Sequence, residues 1–141
     1  MSKMYDVKEC ALKFLEGELK KRRDRLERTR GELAKAKDEV EKARCRRDDV
    51  KAAQNAKVKA AGRDKAKRER VYAKTRDSVA KANCDLRDWR EEVRSAEWSI
   101  PRLKRSIQVL EAVAEGVRKT WMDGVTVAAK PSFPMLLKGV D

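Results

Sequence analysis

A heptad pattern of apolar residues occurs twice in this 141-residue chain, and it constrains the fold more than any other feature. The stronger copy has an apolar side chain at thirteen consecutive a and d positions. Spacings of three and four residues place all of them along one face of a helix. We therefore predict a long helix that packs on a partner. Its a and d positions are Val79, Ala82, Leu86, Trp89, Val93, Ala96, Ile100, Leu103, Ile107, Leu110, Ala114, Val117 and Trp121.

The first half of the chain carries a weaker copy of the pattern. Its a positions are Leu12, Leu19, Leu26, Leu33 and Val40, and Arg47 then breaks the row. Its d positions are mostly small or polar: Leu15, Arg22, Thr29, Ala36, Ala43 and Val50. One strong row beside one weak row predicts an amphipathic helix with a thin apolar seam. Over residues 51–76 the pattern fades.

The composition agrees with a coiled coil better than with a compact globule. Charged residues make up 43% of the chain and aromatic residues only 5%, so a large apolar core is excluded. The length fits one domain. The predicted fold class is all-α, with the helices covering most of residues 1–121.

Gly62 and Asp64 mark a turn between the two patterns. Glycine suits the left-handed position after a helix, and aspartate suits the N-cap of the next one. We predict an antiparallel two-helix coiled-coil hairpin over residues 1–121, with its turn near residues 53–64. Folding there would pair Leu15 with Leu110 and Leu26 with Trp98. The alternative is one unbroken helix that pairs with a second copy in a parallel homodimer, the simplest homo-oligomer. A single glycine would not prevent this, because it destabilises a helix by only about 1 kcal/mol.

Pro101 lies inside the stronger pattern. Proline in a helix interior removes a backbone hydrogen bond, but it is acceptable in a first turn. The apolar rows continue in register across it, which favours one kinked helix. The alternative is a third helix that begins at Pro101, with Ser99 as its N-cap.

The composition changes after Trp121, and residues 122–141 are predicted to form an extended, irregular C-terminal tail. Residues 125–129 (VTVAA) have strand propensity. Two interpretations remain open for the apolar part: a docking peptide for a partner, or a segment that folds back over the hairpin near Tyr5 and Phe14. The docking residues would be Phe133, Met135, Leu136 and Leu137.

The densest positive charge of the chain surrounds Gly62. Residues 51–76 hold ten basic and two acidic side chains, a net charge of +8 within a total of +13. Such a cluster favours an acidic partner, either an acidic protein surface or the phosphates of nucleic acid. We favour the protein surface, because Tyr72 is the only aromatic residue nearby for base stacking. The candidate binding residues are Lys57, Lys59, Arg63, Lys65, Lys67, Arg68, Arg70, Lys74 and Arg76.

Nothing in the sequence indicates catalysis, a cofactor or a metal. The chain has no histidine and no glycine-rich phosphate loop. Cys10, Cys45 and Cys84 are far apart and all fall at heptad position f, so we expect exposed free thiols. There is no apolar run long enough to span a membrane and no signal peptide, which favours a cytoplasmic protein.

These features together predict a non-enzymatic binding or adaptor protein. It would dock its basic surface on an acidic protein within a larger assembly, as a component or an inhibitor. The alternative function is sequence-independent nucleic-acid binding through the hairpin turn. In general shape the chain resembles the small basic helical-hairpin stalk proteins associated with export ATPases of flagellar and type III secretion systems. The likeness is architectural and would fit many phage or bacterial coiled coils.

Overall fold

The computed structural model describes residues 3–140 and shows a helical hairpin. In chain order the elements are strand β1 (Tyr5–Asp6), helix α1 (Val7–Ala60), helix α2 (Lys65–Thr120), strand β2 (Thr126–Val127) and a 3₁₀ helix (Pro134–Leu137). The two long helices pack against each other, and a short irregular tail follows them. The predicted fold class is confirmed, and the alternative of a single long helix is wrong.

Local signals in the sequence set both helix starts and the turn. The backbone N–H of Glu9 donates to Oδ1 of Asp6 at 2.9 Å, and that of Lys67 donates to Oδ1 of Asp64 at 3.2 Å. Both aspartates therefore act as N-caps. Gly62 has a φ of 63°, the left-handed conformation expected after α1. The turn occupies only residues 61–64, because the alanines and lysines before it are good helix formers.

The predicted a and d positions are the ones shielded from solvent. Every a and d position of α2 from Val79 to Trp121 is buried or half-buried, and so is every one of α1 from Leu15 to Val50. The covered row of α1 then continues through Gln54, Val58 and Ala61, where the apolar pattern had faded. The seam thus reaches the turn, although polar side chains supply part of it.

Helix α2 runs through Pro101 without interruption, so the third helix is wrong. Proline has no N–H, and the carbonyl of Glu97 therefore lacks its usual helical donor. Pro101 is exposed to solvent, where water can satisfy that carbonyl.

The chain divides into two compact units. We call Met1–Arg30 with Trp98–Asp141 the terminal unit, and Gly31–Glu97 the turn unit. The principal hydrophobic cluster lies in the terminal unit, where Leu15 and Leu110 are its largest fully buried side chains. The buried members of this cluster are Ala11, Leu15, Leu19, Leu26, Ile107, Leu110, Ala114, Val117, Phe133 and Val140.

The C-terminal tail folds back within the terminal unit. Strand β2 pairs with β1 in antiparallel register, with Tyr5 opposite Val127 and Asp6 opposite Thr126. The Phe133 ring is buried against Phe14 and Trp121, with ring centroids 6.3 Å and 5.8 Å apart. Of the two interpretations of the tail, the structure therefore shows the folded-back one.

The turn unit has a thinner core. Its buried apolar residues are mostly alanines, with Leu86 the largest of them. Close to the turn, the side-chain amide of Gln54 donates to the Thr75 hydroxyl at 2.8 Å, and that hydroxyl donates to the Val71 carbonyl at 2.7 Å. A polar pair inside a coiled-coil seam specifies register at a cost in stability.

Two expectations about individual side chains are wrong. Trp98 is 64% exposed and is not part of the cluster that contains Leu26, because it falls at heptad position f, which points away from the seam. Cys10 is half-buried against the terminal cluster, whereas Cys45 and Cys84 are exposed as predicted. Over residues 3–140, neither helix contains an apolar stretch that could cross a membrane.

Candidate binding surface

The hairpin brings the nine predicted binding cations to the turn and the helical turns beside it. Lys57 and Lys59 lie in the last turn of α1, and Arg63 lies in the connection. The other six, from Lys65 to Arg76, occupy the first three turns of α2. All nine are exposed except Arg68, which is half-buried. We call these nine residues the cationic turn.

None of these nine cations forms an ion pair with any residue in the described part of the chain. Segment 51–76 has only two carboxylates, and that of Asp64 is already used as a helix cap. The cationic turn is therefore a region of uncompensated positive charge.

Several cations elsewhere in the chain have carboxylate partners. The pKa of Lys42 lies above its ordinary value because its ammonium donates to Asp38, with Glu39 nearby. The pKa of Glu115 lies below its ordinary value because Lys119 and Arg118 donate to it. Around Gly62, by contrast, ten basic side chains share two carboxylates within residues 51–76, so unpaired cations are densest there.

The start of α2 is also electrostatically unfavourable. Its first turn contains Lys65, Lys67 and Arg68 and no acidic residue. The N-terminal end of a helix carries partial positive charge, which stabilises anions and opposes cations. The three cations at this position therefore add an unfavourable interaction with the helix dipole to their mutual repulsion.

The structure reveals a second cationic region that the sequence reasoning missed. An open groove of ≈ 320 Å³ lies between α1 and α2 in the turn unit. It is lined by Lys37, Val40, Arg90, Val93 and Arg94. Lys37 and Arg90 both occupy heptad position e. A comparison of the e positions of both predicted helices would have found this cluster.

The four predicted docking residues of the tail are not equally available. Phe133 is buried, Leu136 and Leu137 are half-buried against the terminal cluster, and Met135 is 64% exposed. A docking role for the four stays a prediction, and in this conformation only Met135 presents most of its side chain to solvent.

Trp98 is a further exposed aromatic side chain, on the terminal unit. The guanidinium of Arg102 lies 4.1 Å from the centre of its ring, a cation–π geometry. Residues 98 and 102 are one helical turn apart, so α2 itself positions this pair.

No family model, curated protein or solved structure matches this chain.

Proposed function

We propose that this chain is a non-enzymatic coiled-coil binding protein of the cytoplasm that docks its cationic turn on an acidic protein surface. It would act within a larger assembly, as a component or as an inhibitor of the protein it binds. The hairpin would serve as a rigid support that presents the charge.

The observation that carries this proposal is the lack of ion pairs across the cationic turn. Like charges this close together repel, and the start of α2 adds an unfavourable helix dipole. An acidic partner would relieve both effects on binding. Natural sequences commonly break local rules of this kind at functional sites.

The aromatic content favours a protein partner over nucleic acid. Proteins that bind single strands without sequence preference combine cationic grooves with aromatic stacking platforms. Within residues 51–76, Tyr72 is the only aromatic residue, and it is 50% exposed. One ring supports little stacking, although duplex phosphates could still be bound by charge alone.

Affinity capture after nuclease treatment tests the proposal. The full chain is compared with the variant Lys65→Glu, Lys67→Glu, Arg68→Glu, Arg70→Glu. We expect the wild-type chain to retain a protein partner after nuclease digestion, and the variant to lose it.

The matched control has the same change in net charge. It is Lys20→Glu, Lys35→Glu, Lys81→Glu, Lys104→Glu, four exposed lysines without ion pairs in the described residues. This control should keep the partner. Equal loss in both variants would show that net charge, and not the cationic turn, determines binding.

Nuclease-sensitive capture would instead support the nucleic-acid alternative. In that case the affinity for duplex DNA should fall steeply with salt. For about six phosphate contacts the slope of log K against log salt is near −5. A shallow slope contradicts that alternative.

A further inference from the structure

The two flanks of the coiled-coil seam in the turn unit carry opposite charge. Position e on both helices forms one flank, and position g forms the other. Within the turn unit the e flank holds five cations and two carboxylates, Glu69 and Glu97, so its net charge is positive. These cations are Lys37, Arg44 and Lys51 on α1, and Arg76 and Arg90 on α2.

The g flank of the same unit is mainly acidic. Its carboxylates are Glu32, Glu39, Asp85 and Glu92, and Arg46 is its only cation. The positive charge of this unit is therefore concentrated on one side of the seam. A coiled coil that needed only to hold its own helices together would place opposite charges across each flank.

Most cations of the e flank have no partner inside the chain. Arg44 pairs with Glu41 on its own helix, whereas Lys37, Lys51, Arg76 and Arg90 form no ion pair among residues 3–140. Lys37 and Arg90 lie on different helices and line the same groove. Lys37 and Arg90 are therefore two unpaired cations on opposite sides of one groove.

The floor of this groove is apolar. Val40 and Val93 are both seam residues, and both are only half-buried. Arg94 adds a third cation to the lining, and it is paired with Glu91. The groove therefore presents two valines between cationic walls.

We propose that this groove holds an acidic amphipathic helix of the partner protein. Apolar residues spaced three and four apart would cover Val40 and Val93, as in other helix-in-groove complexes. Carboxylates beside that stripe would meet Lys37 and Arg90. The bound helix would add a third strand to the seam, and the charge pairing would favour it over neutral helices.

Charge disfavours a second copy of this chain as the occupant. The chain has a net charge of +13, and an e flank that faced the e flank of a second copy would place five cations against five. The inference rests on the proposed function, since it names the element by which the acidic partner is recognised.

Two labelled peptides of equal composition provide the test. One has about three heptads with leucine at a and d and glutamate at e and g. The other contains the same residues in scrambled order, so that it keeps the charge and loses the apolar stripe. Fluorescence anisotropy measures the binding of each to the full chain at about 0.15 M salt, where exposed charges are partly screened.

The groove variant is Lys37→Glu, Arg90→Glu, and its matched control is Lys35→Glu, Lys81→Glu. Both lysines of the control are exposed at heptad position c and form no ion pair within the described residues. The single variant Arg90→Glu is a further test, because it places a carboxylate opposite Lys37 and should keep the hairpin folded. Circular dichroism verifies the helix content of each variant.

We expect the heptad peptide to bind about tenfold more tightly than the scrambled one, or better. The groove variant should lose that advantage, Arg90→Glu should weaken binding several-fold, and the control should change little. If the scrambled peptide binds equally well, or groove and control variants behave alike, the inference is overturned.

The design separates this failure from failure of the proposed function. Both peptides could instead bind the wild-type chain equally, with binding abolished only in the variant Lys65→Glu, Lys67→Glu, Arg68→Glu, Arg70→Glu. In that case the cationic turn recognises acidic partners and the groove does not. If neither peptide binds the wild-type chain, both the groove and the proposed function are contradicted.

Discussion

The e flank of the terminal unit and the e flank of the turn unit occupy the same heptad position and differ in charge. In the terminal unit, Arg23 on α1 pairs with Glu111 on α2 at 3.0 Å. Glu16 and Arg118 line the same cleft, so each helix contributes both signs. In the turn unit, Lys37 on α1 and Arg90 on α2 line one groove, and both are cations. The terminal flank is suited to holding two helices together, and the turn flank is suited to meeting a third, acidic element.

The apolar cores of the two units also differ, and the core of the terminal unit is the larger. The terminal unit buries leucines, an isoleucine and the Phe133 ring of the tail in one cluster. The turn unit buries mostly alanines and includes the polar pair of Gln54 and Thr75. Stability is therefore concentrated in the terminal unit, while the turn unit carries the charge that we assign to binding.

The largest effect is expected from a core truncation in the terminal unit. Leu110→Ala should lower the free energy of unfolding by about 4 kcal/mol, because the side chain is fully buried and leaves a cavity. Val79→Ala, at a half-buried seam position of the turn unit, should cost about 1 kcal/mol. Urea unfolding followed by circular dichroism measures both. Equal losses would contradict the difference between the two cores.

Truncation of Phe133, the buried ring of the C-terminal tail, should have the next largest effect on stability. Phe133→Ala should lower the free energy of unfolding by about 3 kcal/mol, since the ring packs on Phe14 and Trp121. Met135→Ala is the control, and because that side chain is exposed it should change stability by less than about 0.5 kcal/mol. A Phe133→Ala variant as stable as the control would show that the tail is not part of the terminal core.

Two glycines of the turn unit should respond in opposite directions to alanine. Gly62→Ala should destabilise by about 1 kcal/mol, because φ is 63° and alanine disfavours that conformation. Gly31→Ala should stabilise by about 0.7 kcal/mol, because the residue is helical and an added Cβ meets nothing within 4 Å. Thermal melts compare the two variants, and the same sign for both would contradict the position of the turn.

The smallest effect tests the charge comparison itself. Arg90→Glu should raise the free energy of unfolding by a few tenths of a kcal/mol, because it replaces like charges across the flank by opposite ones. The gain should shrink at high salt. A loss of stability at low salt would show that the e flank of the turn unit is not a repulsive surface.

The hairpin was predictable from the chain because its signals are local and repeated. The thirteen apolar positions from Val79 to Trp121 specify one face of α2, and Gly62 and Asp64 specify where the chain reverses. Each of these signals depends on backbone geometry within one helical turn, which a sequence shows directly.

The features that the sequence reasoning missed depend on which residues meet across the seam. Trp98 could not be placed opposite Leu26 by counting from the turn, because its position f directs it to solvent. Gln54 belongs to the seam although it is polar, since Thr75 on the other helix accepts its hydrogen bond. The burial of Phe133 depends on rings contributed by α1 and α2, which only the folded terminal unit brings together.

A disulfide between positions 54 and 75 tests whether one chain reverses at Gly62 and so presents the cationic turn. With Cys10, Cys45 and Cys84 replaced by serine, the Gln54→Cys, Thr75→Cys variant is oxidised at low concentration. Nε2 of Gln54 lies 2.8 Å from Oγ1 of Thr75, so the two positions face each other and we expect cross-linking within single chains. A continuous helix would separate them by about 32 Å, so an unlinked product, or one that forms only between chains, would contradict the account.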